Sequence, residues 1–318
     1  MVRKVVVMLF LCSFLFGDVF FPFLSVGSYS PAVPSSSSSV LTCPLVGDNF
    51  TYLVNRSFLY FKVGRSELNV NDRYQFQGLS QSLSTPIILT VVNTTDFLFN
   101  YSLSCNFTNQ FFSVPNHELV PYIFLASLSN LPFNLLQQAY YTYMEGSPLN
   151  SGSLSSGIPI GDRFIFVFPS NESIWNSFLN YYNNFSSSIN TNENYCFKFS
   201  SLINDSSLML FEVFIRKPIV YDTIKMSINT GFMFAINKTT GVLLGLHVKG
   251  AVSGKEAGTR MKGEVDFVLL QGAFSLPELS LYEENQFVGF AEGAFLLLPL
   301  SSFTLILLVI RRKKFPGK

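Results

Sequence analysis

Residues 231–269 have the pattern of consecutive strands joined by polar turns, and the stretch 261–269 alternates between apolar and polar side chains. This pattern constrains the fold more than any other feature. The segment GFMFAINKTTGVLLGLHVKGAV predicts a hairpin with arms at 231–236 and 242–248 and a turn at 237–241. In MKGEVDFVLL, the apolar residues share one face, while Lys262, Glu264 and Asp266 share the other. Alternation with a period of two is typical of antiparallel strands with one side in water. We therefore expect an antiparallel meander.

Most of the remaining chain also has sequence patterns that are typical of β-strands. Short apolar or alternating runs occur at 49–54, 73–76, 86–92, 97–107, 163–168, 195–199, 207–215 and 219–228. Two segments predict helices, 132–144 and 171–185, and each follows a strand-like run, 122–126 and 164–168. These patterns predict an α+β fold of mostly antiparallel β: a curved sheet or half-barrel meander packed on one or two short helices, plus one C-terminal transmembrane helix.

The two ends of the chain place the protein at a membrane. Arg3 and Lys4 precede an apolar run, which predicts a signal peptide at 1–28; an uncleaved N-terminal anchor is the alternative. A Ser/Pro-rich linker follows at 29–40. Residues 287–310 are long enough for a transmembrane helix, and the basic tail 311–318 predicts a cytoplasmic C-terminus. A rival interpretation is a sorting signal that is cut and replaced by a lipid.

The segment between the two ends is expected to be an extracellular β-rich domain, 41–285. LVGDNFTYLV at 45–54 is echoed by PIGDRFIFVF at 159–168, so the domain is either one module or two related halves, 41–157 and 158–280. Only 13% of the chain is charged, against about 25% in a typical soluble domain. Uncharged polar residues take the place of charge, which suits a glycosylated or extracellular surface.

Nine N-x-S/T sequons support this location. They are glycosylation candidates at Asn49, Asn55, Asn93, Asn100, Asn106, Asn171, Asn184, Asn204 and Asn237. Outside the signal segment the chain has three cysteines, Cys43, Cys105 and Cys196, and the favoured disulfide joins Cys43 to Cys105.

No catalytic, cofactor or metal signature is present in the sequence. The chain has two histidines, His117 and His247, and neither belongs to a ligand spacing. It lacks a G-x-S-x-G elbow and a Walker motif, and we expect no enzyme activity. The domain carries 14 basic against 18 acidic residues, which argues against nucleic acid as a partner.

A set of archaeal surface proteins, abundant in the Asgard lineage, carries similar motifs. The likeness spans about residues 44–275 and rests on G-D-x-F-x-[YF], on FPSNESIW and on INKTTGVLL, which is the late hairpin. This resemblance implies a secreted, anchored β-rich domain. In outline the set is also similar to curved-sheet lipoprotein carriers, in which a helix plugs an open half-barrel.

These observations predict a surface-anchored, non-enzymatic domain that binds a lipid or other hydrophobic ligand. The chain has 35 Phe and 14 Tyr, and an aromatic surplus can line a pocket. The pocket-lining candidates lie on the second predicted helix: Trp175, Phe178, Leu179 and Tyr182. One alternative is a structural or adhesive envelope glycoprotein that contacts other envelope proteins. Another is a surface hydrolase whose site is assembled from distant residues.

Overall fold

Antiparallel strands make up most of the described chain. The computed structural model describes residues 44–95, 98–115, 119–160, 164–169, 172–189 and 196–279. The described strands are β1 Asn49–Val63, β2 Ser66–Asn71, β3 Arg73–Phe76, β4 Leu79–Ser82, β5 Ile87–Thr94, β6 Leu98–Cys105, β7 Thr108–Pro115, β8 Ile158–Ile160, β9 Cys196–Asn204, β10 Leu208–Tyr221, β11 Ile224–Asn237, β12 Leu243–Glu256 and β13 Thr259–Gln271. The helices are α1 Val120–Ser129, α2 Leu131–Met144 and α3 Glu172–Ile189.

The predicted signal peptide, linker, transmembrane helix and basic tail lie outside the described residues. Within the described ranges, no helix combines the length and the apolar character that crossing a bilayer requires. The predicted membrane segment at 287–310 therefore stays a prediction.

Ten strands form one sheet in the order β7-β6-β5-β1-β13-β12-β11-β10-β9, and β2 pairs with the second half of β1. All its neighbouring strands are antiparallel. Strand β1 lies between β5 and β13, so both sequence halves contribute to the same sheet. A small second sheet has the order β4-β3-β8, in which β3 and β8 run parallel. The α+β class and the mostly antiparallel sheet are confirmed, while no curled barrel is found among the described strands and three α-helices replace the predicted one or two.

The apolar run 122–126 is part of α1, and the strand-like interpretation of it was wrong. Pro121 stands in the first turn of this helix, where proline is favourable because its missing N–H has no partner there anyway. Eight of the ten residues of α1 are buried, including Tyr122, Phe124 and Leu125, and the narrow exposed side carries Ile123 and Ser127. Because an apolar isoleucine occupies much of this narrow side, the sequence shows no clear polar stripe, and its short apolar run resembles a buried strand.

Two other strand predictions needed correction. Residues 164–168 form no strand and make only an isolated bridge from Val167 to Val242. A described part of the second echoed segment, 164–168, therefore does not match the strand structure at 49–54 in the first. The strand-like runs 207–215 and 219–228 are also not two separate strands: β10 runs through Pro218, and the turn comes at Asp222, whose φ is 45°. Asp tolerates this left-handed conformation better than most residues.

Helices cover one side of the large sheet, which we call the inner face. Helix α2 contacts β1, β11, β12 and β13, while α1 contacts β11 and α3 contacts β9. Glycine at position 250 allows α2 to approach, since a Cβ there would collide with the ring of Pro132. The inner face is therefore the centre of the hydrophobic core.

The outer face is covered in part by residues 274–279, which we call the closing segment. Leu279 packs into an apolar cluster with Leu210, Met233 and Ala235, and Phe274 and Leu276 pack beside it. Burying one such side chain contributes about 1.5–3 kcal/mol. The closing segment thus gives β10 and β11 apolar neighbours on both faces, which explains why these strands depart from simple alternation.

Candidate functional site

A cleft of about 490 Å³ opens where α1 and α2 meet the small sheet and β7. We call it the amide cleft, because glutamine side chains dominate its lining. It is lined by Gln75, Gln77, Gly78, Gln110, Ser127, Gln138, Pro159 and Ile160. The whole chain has only eight glutamines, so half of them lie at this one place. Such convergence of one residue type from three separate parts of the fold, the β3–β4 hairpin, β7 and α2, is the main feature of the site.

The β3–β4 hairpin supplies two of these glutamines. Tyr74 and Phe76 of β3 are fully buried, and Gln75 lies between them with 8% of its surface exposed. Gln77 and Gly78 form the two-residue turn, with φ of 48° and 78°. The left-handed conformation of Gln77 costs about 1 kcal/mol of conformational free energy. Its Nε2 donates to the Asn109 carbonyl at 2.9 Å, which fastens the hairpin to β7.

The other polar groups come from β7 and the two helices. Gln110 lies on β7 two residues before Phe112, so the two side chains share one face of the strand. The ring of Phe112 stacks on that of Tyr101 with centroids 5.3 Å apart. Gln138 of α2 donates through Nε2 to the Ser153 hydroxyl at 2.6 Å. Ser127 adds a hydroxyl from α1. The positions of these groups follow from helices and strands that are themselves packed into the core, so the site is largely pre-formed.

Among the residues that the structure describes, the lining of the amide cleft contains no ionisable side chain. A glutamine amide carries a carbonyl acceptor and two N–H donors, and a serine hydroxyl can both donate and accept. One N–H of Gln77 and one of Gln138 already donate within the protein. Pro159 and Ile160 add an apolar strip. This set matches a neutral ligand that both donates and accepts hydrogen bonds, and it offers no counter-charge for an ion.

Beneath the hairpin, Tyr74 and Cys105 form a buried pair. The Tyr74 hydroxyl donates to the Thr85 carbonyl at 2.8 Å and lies 3.3 Å from the Cys105 Sγ. Burial raises the pKa of the Tyr74 hydroxyl, and the contact with Cys105 raises it further. Burial also raises the pKa of the Cys105 thiol, so the thiol is neutral and a weak nucleophile. Cys105 is free in the structure, and Cys43 lies outside the described residues; their disulfide stays a prediction.

The predicted pocket residues of α3 lie within a packed aromatic core and are not part of the cleft lining. Trp175, Phe178 and Tyr182 are fully buried, and Leu179 is 5% exposed. Ring centroids of Phe178 and Tyr182 are 4.8 Å apart, as expected for aromatic rings in contact. The indole Nε1 of Trp175 donates to the Pro169 carbonyl at 2.8 Å, so its polar group is satisfied.

Of the two histidines, His247 is described and His117 is not. His247 lies on the outer face, 4% exposed, with its Nε2 2.9 Å from Asp266 Oδ1. No group of three or more His, Cys, Asp or Glu residues in the described ranges could hold a metal ion.

The described sequon asparagines all have solvent access. Asn100 and Asn237 are half-buried, and the exposed ones are Asn49, Asn55, Asn93, Asn106, Asn184 and Asn204. Asn171 lies outside the described residues. This accessibility is compatible with glycosylation at each described sequon, which itself stays a prediction.

The glutamines of the cleft were not singled out from the sequence. RYQFQGLSQS and LLQQAY are polar and carry no signature spacing, and only the fold brings them together. In comparisons with known proteins, no protein-family model, no curated protein and no solved structure matches this chain. The resemblance to archaeal surface proteins therefore stays a prediction.

Proposed function

We propose that this chain is a non-enzymatic binding domain displayed at the cell surface, and that its amide cleft holds a neutral, hydroxyl-rich ligand such as a stretch of glycan. The observation that carries the proposal is the convergence of Gln75, Gln77, Gln110 and Gln138 on one cleft without ionisable lining. A volume of about 490 Å³ falls within the range of about 300–1,000 Å³ of small-molecule sites.

The ligand class follows from hydrogen-bond chemistry. A sugar hydroxyl donates one hydrogen bond and accepts others, and a glutamine amide complements both roles. The C–H faces of a sugar ring can rest on Pro159 and Ile160. A charged ligand would lose its hydration without gaining a counter-charge, which is costly. A neutral glycan therefore fits better than a phosphate, a carboxylate or a metal ion.

The location at the cell surface rests on the ends of the sequence. An N-terminal signal peptide, a membrane helix at 287–310 and a basic tail would leave the domain outside and the C-terminus in the cytoplasm. The solvent access of every described sequon asparagine supports this part of the proposal.

A lipid or other hydrophobic ligand is less well supported. Binding such a ligand would require a curved or half-barrel sheet and open space between that sheet and α3. The rings of α3 instead pack against the sheet, and Phe178 lies 5.5 Å from Phe211 between ring centroids. A hydrophobic ligand would have to displace these contacts.

The role of an adhesive envelope glycoprotein is the second candidate. The exposed sequons and the open edge of β7 favour it, because glycans and an unpaired strand edge are both features through which neighbouring envelope proteins can make contact. For a hydrolase, the described residues offer His247 paired with Asp266, but burial under the outer-face packing leaves this histidine only 4% exposed.

A glycan array tests the proposal. Full-length protein in detergent would be applied to neutral oligosaccharides and to sulfated, phosphorylated and sialylated ones. We expect retention on neutral glycans that is unchanged by raised salt, because no ion pair contributes. Retention on the anionic glycans alone, or on none of the array, would contradict it.

A further inference from the structure

Two of the sequons face each other directly across neighbouring strands. Asn93 of β5 and Asn100 of β6 are register partners. Phe99 and Tyr101 on either side of Asn100 are buried in the core, so both asparagines project from the outer face. Side chains of directly opposed residues have Cβ atoms about 4.5–5.5 Å apart. Two glycans attached at this spacing would occupy the same volume.

The amide of Asn100 is held in an orientation that suits attachment. Its Oδ1 accepts a hydrogen bond from the Ser113 hydroxyl at 2.6 Å, which leaves the nitrogen directed elsewhere. The nitrogens of two other sequon asparagines are engaged instead. Asn49 Nδ2 donates to the Gly47 carbonyl at 3.1 Å, and Asn106 Nδ2 donates to Gln81 Oε1 at 2.5 Å.

The strand next to Asn100 is the open edge of the sheet. Strand β7 pairs with β6 on one side and has no neighbour on the other among the described residues. Cys105 and Thr108 flank a two-residue turn and form a hydrogen-bonded pair of β6 and β7. Because hydrogen-bonded and non-hydrogen-bonded pairs alternate along an antiparallel ladder, the main-chain N–H and C=O groups of Phe111 and Ser113 point away from β6, toward the open side. The Asn109 carbonyl on that side is already bonded to Gln77.

This edge lacks one of the usual protections against pairing with another chain, although the strand ends at Pro115. Charged side chains commonly guard edge strands, and β7 contains none. Phe111 is 71% exposed beside it. The opposite edge, β9, carries Lys198 and has α3 packed against it. An antiparallel contact between two copies, centred on Phe111, would bring no like charges together.

We propose that the Asn93–Asn100 pair carries a single glycan, on either asparagine but not on both, and that this glycan keeps a second copy from pairing with β7. The inference rests on the proposed location outside the cell. Ser113 of the edge strand is bonded to Asn100, so a sugar on the pair would stand beside the edge and obstruct an approaching strand.

The experiment uses the full-length protein in detergent, made in a host that glycosylates N-x-S/T sequons. The variants are Asn93→Gln, Asn100→Gln and both together. Asn55→Gln is the matched control, because Asn55 lies on β1, away from the β7 edge. Glycopeptide mass spectrometry gives the occupancy of each sequon, and sedimentation velocity gives the oligomeric state.

We expect wild type to carry one glycan on the pair, and each single variant to carry it on the remaining asparagine and stay monomeric. The double variant should dimerise, and adding Phe111→Lys should restore the monomer. The Asn55→Gln control should behave as wild type. Two glycans on one molecule, or a monomeric double variant, would overturn the inference.

Two further outcomes separate this inference from the proposed location. If all described sequons are empty, the location outside the cell fails as well. If Asn55 or Asn184 carries a glycan while Asn93 and Asn100 are both empty, the location stands and only the inference fails. Glycosylated wild type that already dimerises through β7 would also overturn it, and would favour the adhesive alternative.

Discussion

His247 and Asp266 form a hydrogen-bonded pair on the outer face, with Nε2 2.9 Å from Oδ1 across β12 and β13. Arg56 Nη1 holds the other carboxylate oxygen at 3.1 Å. The side chain of Asp266 is 17% exposed and that of His247 is 5% exposed. Arg56 also reaches Glu278 of the closing segment at 3.9 Å. The network therefore links three strands to the segment that covers them.

This network predicts acid sensitivity. Burial would raise the pKa of Asp266, but the hydrogen bonds and charges of His247 and Arg56 outweigh it, so the pKa is lowered. A lowered pKa contributes stability that is present above the unfolded pKa of about 3.9 and is lost as the pH falls through the folded value. Asp266→Asn should cost about 1–3 kcal/mol at neutral pH. Urea unfolding at neutral and acidic pH measures the difference.

A matched control for this prediction is Glu264→Gln. Glu264 lies on the same strand and pairs with Lys262 at 2.6 Å, but its side chain is 39% exposed. Exposed ion pairs contribute about 0–1 kcal/mol, so this change should have little effect at any pH. Equal losses in the two variants, or a loss for Asp266→Asn that persists in acid, would refute a role for the buried network.

Glu256 should have the opposite pH dependence. Burial raises the pKa of its carboxyl group, and its Oε2 is buried without a hydrogen-bond partner. A raised carboxyl pKa contributes stability that is present below the unfolded pKa of about 4.3 and is lost as the pH rises through the folded value. Glu256→Gln should therefore stabilise the protein at neutral pH by about 1 kcal/mol and leave it unchanged in acid. Destabilisation at neutral pH would mean that the ionised carboxylate is bound.

The approach of α2 to the sheet depends on the glycine at position 250. A Cβ at this position would collide with Pro132, which cannot move without shifting the start of the helix. We expect Gly250→Ala to cost about 1–3 kcal/mol, as in other overpacked cores. Ser253→Ala, on the outer side of the same strand, is the control and should be nearly neutral. Thermal unfolding of both variants checks this, and equal melting temperatures would contradict it.

Phe178→Ala distinguishes a packed aromatic core from a ligand pocket beside α3. Phe178 is fully buried, and its ring contacts Trp175 and Tyr182. Its loss should cost about 3–5 kcal/mol and create a new cavity. Phe111→Ala, at a side chain that is 71% exposed, should cost little. If Phe178→Ala were nearly neutral and the wild type took up a fluorescent fatty acid, the hydrophobic-ligand alternative would replace our proposal.

The sheet could be predicted from the sequence where one face is wet. The turn at 237–241 and the strand that begins near Met261 could be predicted, because each polar residue marks the side that faces solvent. Where both faces of a strand or most sides of a helix are covered, the alternation of polar and apolar residues that identifies the element disappears. Helix α1 is buried at eight of its ten residues and shows no clear polar stripe. Strand β10 continues through Arg216, Lys217 and Pro218, whose side chains interrupt the apolar pattern in the sequence.

The amide cleft was not predictable, and the reason is physical. Glutamine has no geometric signature in sequence, since one amide at the surface and one in a cleft are equally compatible with a polar position. Gln75 and Gln138 are 63 residues apart and meet only because α2 lies over the inner face near the small sheet. The aromatic residues of α3 gave a stronger sequence signal, yet their rings fill the core.

The most direct test of the account is a calorimetric titration with the neutral glycan that the array retains best. Full-length wild type would be compared with Gln75→Leu and Gln138→Leu in the cleft, and with Gln271→Leu outside it. Each cleft variant loses hydrogen bonds of about 1 kcal/mol apiece, so we expect affinity to fall about 5–10-fold, with the Gln271 variant unchanged. Equal affinities in all four proteins would contradict the claim that the amide cleft is the binding site.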